Sequence, residues 1–254
     1  MNSVREIEAA FASCEVGDRS ALYKQYASDS RSGVQKILQK YKKQDEKLRQ
    51  ETLRLEQMSC YERRYESAYH MICGIDEVGR GPLAGPVVAG AVILPKDTKI
   101  LYINDSKKLS AKRREVLYDQ IMDQAIAVGL GMAKPERIDE INILQATYEA
   151  MREAIAALKV RPDLLLNDAV TIPGVDIRQV PIIKGDEKSI SIAAASIIAK
   201  VTRDRMMVEY DAIWPGYDFA QNKGYGSARH IQALQEIGPS PIHRRSFVLK
   251  KDRI

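Results

Sequence analysis

Apolar residues are sparse in the first quarter of this chain, and they are spaced for helices. Between Val34 and Glu66, the side chains Val34, Leu38, Tyr41, Leu48 and Leu55 follow three- and four-residue spacing, which predicts one or two long helices. Asp45 and Thr52 interrupt the stripe, so it fits a narrow docking face better than a sustained coiled coil. Residues 1–70 contain no proline and only Gly17 before Gly33, as a helical N-terminal extension would.

From Ile72 the rhythm changes to short apolar runs separated by helical patterns. Strands are expected over 71–76, 85–94, 126–133, Leu164–Leu166 running into Asn167-Asp168, and Gln179–Ile183. Pro181 places the last of these at a sheet edge, because proline cannot donate to a ladder. Helices are expected around 110–124, from Pro135 to Leu158, from Ser189 to Tyr210 and from Ser227 to Ile237. In the second, Ile143, Leu144, Thr147, Met151, Ile155 and Leu158 form the core face. In the third, Ala193, Ala194, Ala195, Ser196 and Ala199 let a helix approach a sheet closely. The sum is an α/β domain over 71–254, with a mixed five-stranded sheet flanked by helices and a helical, basic C-terminal part.

Composition narrows the class. The chain has 254 residues, 45% of them apolar, and no apolar run approaches the ~18 residues a membrane span needs. The N-terminus carries acids and no apolar core, so no secretory signal is expected. Cys14, Cys60 and Cys73 lack metal-site spacing and read as reduced cytoplasmic thiols, two on helices and one in a buried strand. A net charge of +5 permits a polyanionic partner. Lys107-Lys108, Lys112-Arg113-Arg114, His243-Arg244-Arg245 and Lys250-Lys251 form basic clusters, and basic residues are also in excess between Arg31 and Arg64.

Residues 74–86, Gly-Ile-Asp-Glu-Val-Gly-Arg-Gly-Pro-Leu-Ala-Gly-Pro, carry the strongest chemical signal. Asp76 and Glu77 close the first strand, Asp168 closes the fourth, and Asp186 follows the fifth. In α/β sheets ligands gather at the carboxyl ends of parallel strands, so these acids can meet. Successive strand residues point to opposite faces, so a shared site predicts a bend at Glu77, with Gly79 and Gly81 to permit it. Four clustered carboxylates repel by several kcal/mol at an effective dielectric near ~20 unless cations neutralise them or some stay protonated. Oxygen-only donors select Mg2+ or Mn2+, and a pair of such ions suits in-line phosphoryl displacement. Lys107, Lys108, Lys184, Arg203 and the C-terminal cluster are then candidate phosphate contacts. Asp105 reads as support for the acids and Asp204 as a salt-bridged helix residue. Cys73 reads as core and Ser196 as packing. His230 and His243 read as surface or capping residues, with His243 near phosphate as a further option.

The 74–86 stretch closely resembles the signature of ribonuclease HII. So do Asn104–Ser110, Lys184-Gly185-Asp186, Ile192–Asp204, Lys223-Gly224-Tyr225 and His243–Phe247, in order and in register over roughly 70–250. The resemblance implies a ribonuclease H-like fold and a Mn2+- or Mg2+-dependent endonuclease. Its substrates would be RNA/DNA hybrids and duplex DNA containing single ribonucleotides, cut 5′ of the ribonucleotide to leave 3′-hydroxyl and 5′-phosphate ends. Carried over by position, Asp76, Glu77, Asp168 and Asp186 are the catalytic metal ligands. Gly79, Arg80 and Gly81 form the loop that senses the 2′-hydroxyl, and Tyr225 reads the junction with the next deoxyribonucleotide. Ala169 departs from the glycine often found after the third acid. Arginine at position 80 argues against ribonuclease HIII, which tends to carry lysine there and needs longer RNA. A non-catalytic nucleic-acid binder is the remaining alternative. No membrane partner is expected, and the chain is expected to act as a cytoplasmic monomer.

Overall fold

The computed structural model describes residues 2–251, which fall into two compact units divided between Glu56 and Gln57. Helices α1 (Val4–Ser13), α2 (Arg19–Tyr26) and α3 (Ser32–Met58) build the first unit. Ser3 and Glu6 close a capping box at the start of α1. Ile7, Phe11, Tyr26, Val34, Ile37, Leu38 and Tyr41 form its core, with Phe11 stacked on Tyr41 at 5.1 Å between ring centroids. The interruption of the α3 stripe has a use. Asp45 accepts from Arg19 Nη1 at 2.5 Å and from the Tyr23 hydroxyl at 2.6 Å, tying α3 to α2.

The second unit opens with α4 (Cys60–Tyr65) and then builds the sheet from β1 (Ile72–Val78), β2 (Val87–Ile93), β3 (Ala127–Ala133), β4 (Leu164–Asp168) and β5 (Arg178–Ile182). Strand order is β3-β2-β1-β4-β5. The β1–β2 and β2–β3 pairs are antiparallel, β1–β4 and β4–β5 parallel. Pro181 lies in the edge strand, as its missing donor requires. The connecting helices are α5 (Ala111–Gln124), α6 (Pro135–Ala156), α7 (Gly185–Lys188), α8 (Ile190–Ile213), α9 (Phe219–Asn222), α10 (Ala228–Ile237) and α11 (Arg245–Lys251). The Lys250-Lys251 side chains lie outside the described residues. Among the described residues no helix is long and apolar enough to cross a membrane.

Two helices sandwich the sheet. On one face Ala146, Ala150, Met151 and Ala154 of α6 meet Cys73, Ile75, Ala89 and Ala91. On the other lies the small-residue run of α8, fully buried at Ala193, Ala194, Ala195 and Ala199. The approach is close enough that a Cβ at Gly90 would stand 2.5 Å from the Ala195 carbonyl.

Helix α6 differs from the expected continuous element. Asn142 adopts φ 68°, ψ 164°, and its Oδ1 accepts from Leu144 N–H at 3.0 Å and Gln145 N–H at 3.1 Å. Asparagine tolerates positive φ and caps well, so it ends one helical piece and starts the next. The break turns Leu144, expected in the core, to solvent at 40% exposure.

The start of α8 is held from α4. Glu62 Oε1 accepts from Ser189 Oγ at 2.6 Å and from Ser191 N–H at 3.0 Å, while Oε2 has no hydrogen-bond partner. Burial raises its pKa, and these hydrogen bonds only partly oppose the rise. A raised acid contributes stability that is present below its ordinary value of 4.5 and lost as pH rises through the raised one. Glu62→Gln should therefore keep the cap and match or exceed the parent's Tm at neutral pH, with a flatter Tm profile above that value. A lower Tm at neutral pH would mean the charge itself stabilises α8.

Candidate active site

The parallel pairing of β1 and β4 sets Ile75 opposite Asn167, so Asp76 and Asp168 follow at one level. Both share the pleat of Ile72, Gly74, Leu164 and Leu166, the face covered by α8. The expected bend at Glu77 is absent: β1 stays in ladder with β2 through Glu77–Ala89 and Val78–Val88, and the chain turns at Gly79 instead. Glu77 still reaches the other acids because β4 ends at Asp168, leaving the strand end open beside it. Asp186 comes from the single turn of α7, which Lys184 enters in the left-handed region at φ 56°.

Each acid is held by a local partner. Asp76 Oδ1 accepts from the Glu77 N–H at 2.8 Å, and its carboxylate also bonds Ser196. Ser196 in turn exchanges a hydrogen bond with Ser106 at 2.9 Å. Ser196 is thus a site residue rather than packing alone, a role its place in a small-residue run conceals. Asp168 Oδ1 accepts from the Gly185 N–H at 2.7 Å, linking β4 to α7. Glu77 Oε1 pairs with Arg80 Nη1 at 3.2 Å. Asp186 shares a hydrogen bond with Asp105, which also caps the 3-10 turn Ser106–Lys108 through the Lys107 N–H at 2.8 Å.

Asp76, Glu77 and Asp186 each feel neighbouring acids. Burial pushes Asp76 well above the usual carboxylate range, and Glu77, Asp168 and Asp186 push it further, while Ser196 opposes. Burial also raises Glu77, with Arg80 opposing and Asp168 adding. Asp186 is pushed up to about 6, first by burial and then by Asp105 and Asp168, against the pull of Lys107. Lys107 shows the converse. Burial favours its neutral form, but Asp105, Asp76, Asp186 and Asp168 outweigh that and raise its pKa. The Lys107 ammonium therefore serves the acids. Lys108 pairs with Glu187 at 3.0 Å on the rim, and Lys184 is exposed. Among the described residues no group of three or more His, Cys, Asp or Glu side chains is already placed to hold a metal ion. The donor chemistry nevertheless fits a hard divalent cation: carboxylate oxygens only, and mutual repulsion that such a charge would relieve.

Beside the acids, residues 79–86 fold into a loop that two buried arginines hold from within. Arg203 donates to the carbonyls of Pro86 at 2.9 Å, Lys223 at 2.9 Å and Ala84 at 3.1 Å. Arg244 donates to Gly79 at 2.5 Å, Arg80 at 2.9 Å and Gly85 at 2.8 and 3.0 Å. Gly79 needs to be glycine on two counts: its φ is +91°, and a Cβ there would fall on the Arg203 guanidinium. Leu83 N–H reaches the Gly224 carbonyl at 2.8 Å, and the Arg244 N–H reaches that of Leu83 at 2.8 Å, so the loop is sewn to both later segments. Tyr225 stands half exposed, and a Cβ on Gly81 would lie 3.7 Å from its ring.

These contacts correct two expectations and bear out a third. Arg203 and Arg244 are fully buried loop anchors and cannot contact phosphate. His230 and His243 are buried as well, joined Nε2 to Nε2 at 2.9 Å, and neither is a surface residue. Asp204 is salt-bridged as expected, through Lys200 at 2.7 Å and Arg114 at 3.7 Å. A basic run shows charge but not burial, so the sequence carries no signal for the arginine anchors.

Comparison with known proteins agrees with this architecture. The family model described as ribonuclease HII matches residues 73–250, and that of the ribonuclease HII N-terminal domain matches residues 3–66. A ribonuclease HII of Lachnoclostridium phytofermentans is 69% identical over 223 residues, covering 88% of this chain and 87% of that one. A ribonuclease HII of Clostridioides difficile is 51% identical over 247 residues, 97% of each chain. Among solved structures, the ribonuclease H2 of Pyrococcus horikoshii superposes with a TM-score of 0.59 at 26% identity, covering 72% of this chain and 97% of that one. The chain belongs to the ribonuclease HII family, nucleases that act on RNA in RNA/DNA hybrids.

Proposed function

We propose that this nuclease depends on a divalent cation and cuts 5′ of a ribonucleotide, in hybrids and at single ribonucleotides within duplex DNA, leaving 3′-hydroxyl and 5′-phosphate ends. The observation that carries the reading is the mutual charge coupling of Asp76, Glu77, Asp168 and Asp186 beside a glycine-lined loop and an exposed tyrosine. The four acids would hold Mg2+ or Mn2+, which when bound activates water and stabilises a leaving oxygen.

The chain's own residues supply the selection. The main chain of Gly79–Gly81 is free of side-chain bulk at both glycines, so its amides and carbonyls can approach a 2′-hydroxyl, the group that separates RNA from DNA. Arg80 balances Glu77 and keeps a half-exposed guanidinium that a phosphate could reach. The Tyr225 ring, beside Gly81, offers an apolar face to a sugar lacking that hydroxyl. Lys107 keeps the acids tolerable in their ionised form, and exposed Lys108 and Lys184 contact the backbone without reading sequence.

The test is an end-labelled duplex with one ribonucleotide, alongside an all-DNA duplex and a long RNA/DNA hybrid, each with Mg2+, Mn2+ or chelator. A single cut 5′ of the ribonucleotide, only with cation and never in the all-DNA duplex, is the expected result. Cutting of the long hybrid alone would overturn the roles given to Gly79–Gly81 and Tyr225. Cleavage in chelator would overturn the cation requirement.

A further inference from the structure

The hydrogen bonds around the buried histidines fix their protons. The Ser240 backbone N–H lies 2.9 Å from His243 Nδ1, and a backbone amide can only donate, so that nitrogen is bare. A neutral His243 then carries its proton on Nε2 and donates it to His230 Nε2 at 2.9 Å. His230 in turn carries its proton on Nδ1 and donates it to the Tyr225 carbonyl at 2.8 Å. The direction of all three bonds follows from one amide. Tyr217 and Phe219 enclose the pair, with the Tyr217 ring centroid 4.9 Å from that of His243. Burial, reinforced by His230, lowers His243 to about 4, in keeping with a neutral ring.

The far end of this chain of bonds is the peptide of Tyr225. Its carbonyl also accepts from the Ser227 N–H at 2.8 Å, and its own N–H reaches the Asn222 carbonyl at 2.9 Å. The near end adjoins Arg244, which holds the carbonyls of Gly79 and Arg80. His243 is also bridged to Ala84 of the same loop.

We propose that His243 and His230 are positioning residues: a neutral two-ring relay, oriented by Ser240, that sets Tyr225 against the Gly79–Gly81 loop for recognition of the ribonucleotide–deoxyribonucleotide junction. The inference rests on the reading of Tyr225 given above. It asks for a ring at 230 that donates from the Nδ1 position, which an asparagine amide can imitate and a phenylalanine cannot.

The experiment compares parent, Tyr225→Ala, His230→Phe and His230→Asn on two substrates, a duplex with one ribonucleotide and a long RNA/DNA hybrid. The readout is the ratio of kcat/KM values, measured below each variant's Tm. His230→Phe should lower the ratio about tenfold, through kcat on the single-ribonucleotide duplex, as expected for one misplaced transition-state contact. His230→Asn should restore most of it. Equal losses on both substrates, or no rescue by asparagine, would overturn the relay and leave the pair as core. If Tyr225→Ala leaves the ratio unchanged, the reading of Tyr225 fails first and the relay with it. A drop with Tyr225→Ala but not with His230→Phe would reject the relay alone.

Discussion

Replacing Asp76 by asparagine should lower turnover by at least about 10³-fold, the order expected when a ligand to a reacting metal centre is lost, while making the cation-free protein more stable. The two effects have one cause. Burial first, and then the charges of Glu77, Asp168 and Asp186, hold the Asp76 pKa well above the ordinary 3.8. An acid raised in this way contributes stability that is present below its ordinary value and lost as pH rises through the raised one. At neutral pH the ionised carboxylate is therefore a liability, and the isosteric amide removes it. Asparagine Oδ1 still accepts from the Glu77 N–H and still meets Ser196, so the gain should be on the order of 1–3 kcal/mol. Thermal unfolding in chelator at neutral pH checks this directly. Adding Mn2+ should raise the parent's Tm by ligand linkage and move that of Asp76→Asn far less. Turnover near the parent's would remove Asp76 from the ligand set. A lower Tm in chelator would show that the acid is held by favourable contacts and not against repulsion.

How far the chain discloses its site depends on whether a residue's signal is local. Asp76 and Glu77 are adjacent, end an apolar run and precede glycines, so their place at a strand end is legible from ten residues. Asp168 is legible for the same reason, after Leu164–Leu166. The five strands and their edge proline follow from alternation and run length, because a mixed sheet buried on both faces leaves few other places for such runs. The break in α6 was also written locally, as Asn142 two residues before the amide it caps, but the apolar face around it masks the signal. The bend expected at Glu77 fails for a different reason. Alternation does set Glu77 on the face opposite Asp76, but β4 stops at Asp168, so the Glu77 side chain can approach Asp168 around the strand end without a bend.

What the sequence withholds is the burial of charge. Arg203 sits beside Asp204 on a helix, and Arg244 lies in a run with His243 and Arg245. Both look solvated. Their guanidinium groups are instead enclosed by carbonyls that exist as acceptors only after residues 79–86 have curled back. The same holds for His230 and His243, separated in sequence and joined only by the packing of α10 against residues 240–243.

Arg244→Lys gives the sharpest test of that enclosed charge. Burial lowers the Arg244 pKa to about 9, and the like charge of Arg203 adds to the fall, so the side chain is retained at a cost that its hydrogen bonds must offset. Those bonds reach three carbonyls, Gly79, Arg80 and Gly85, from three nitrogens of one planar fork. An ammonium keeps the charge but is a point donor on a shorter reach and cannot span them. At least one buried carbonyl should lose its partner, at about 1–3 kcal/mol each, so a loss near 3 kcal/mol and a fall in Tm of roughly 6–12 °C are expected. Measured below that Tm, kcat on the single-ribonucleotide duplex should fall about 10²-fold, because Gly79 and Arg80 are released from the geometry that presents their backbone. KM should change little. The opposite pattern, a raised KM that steepens with salt beside an unchanged Tm and kcat, would mean that Arg244 reaches phosphate in solution and does not anchor the loop.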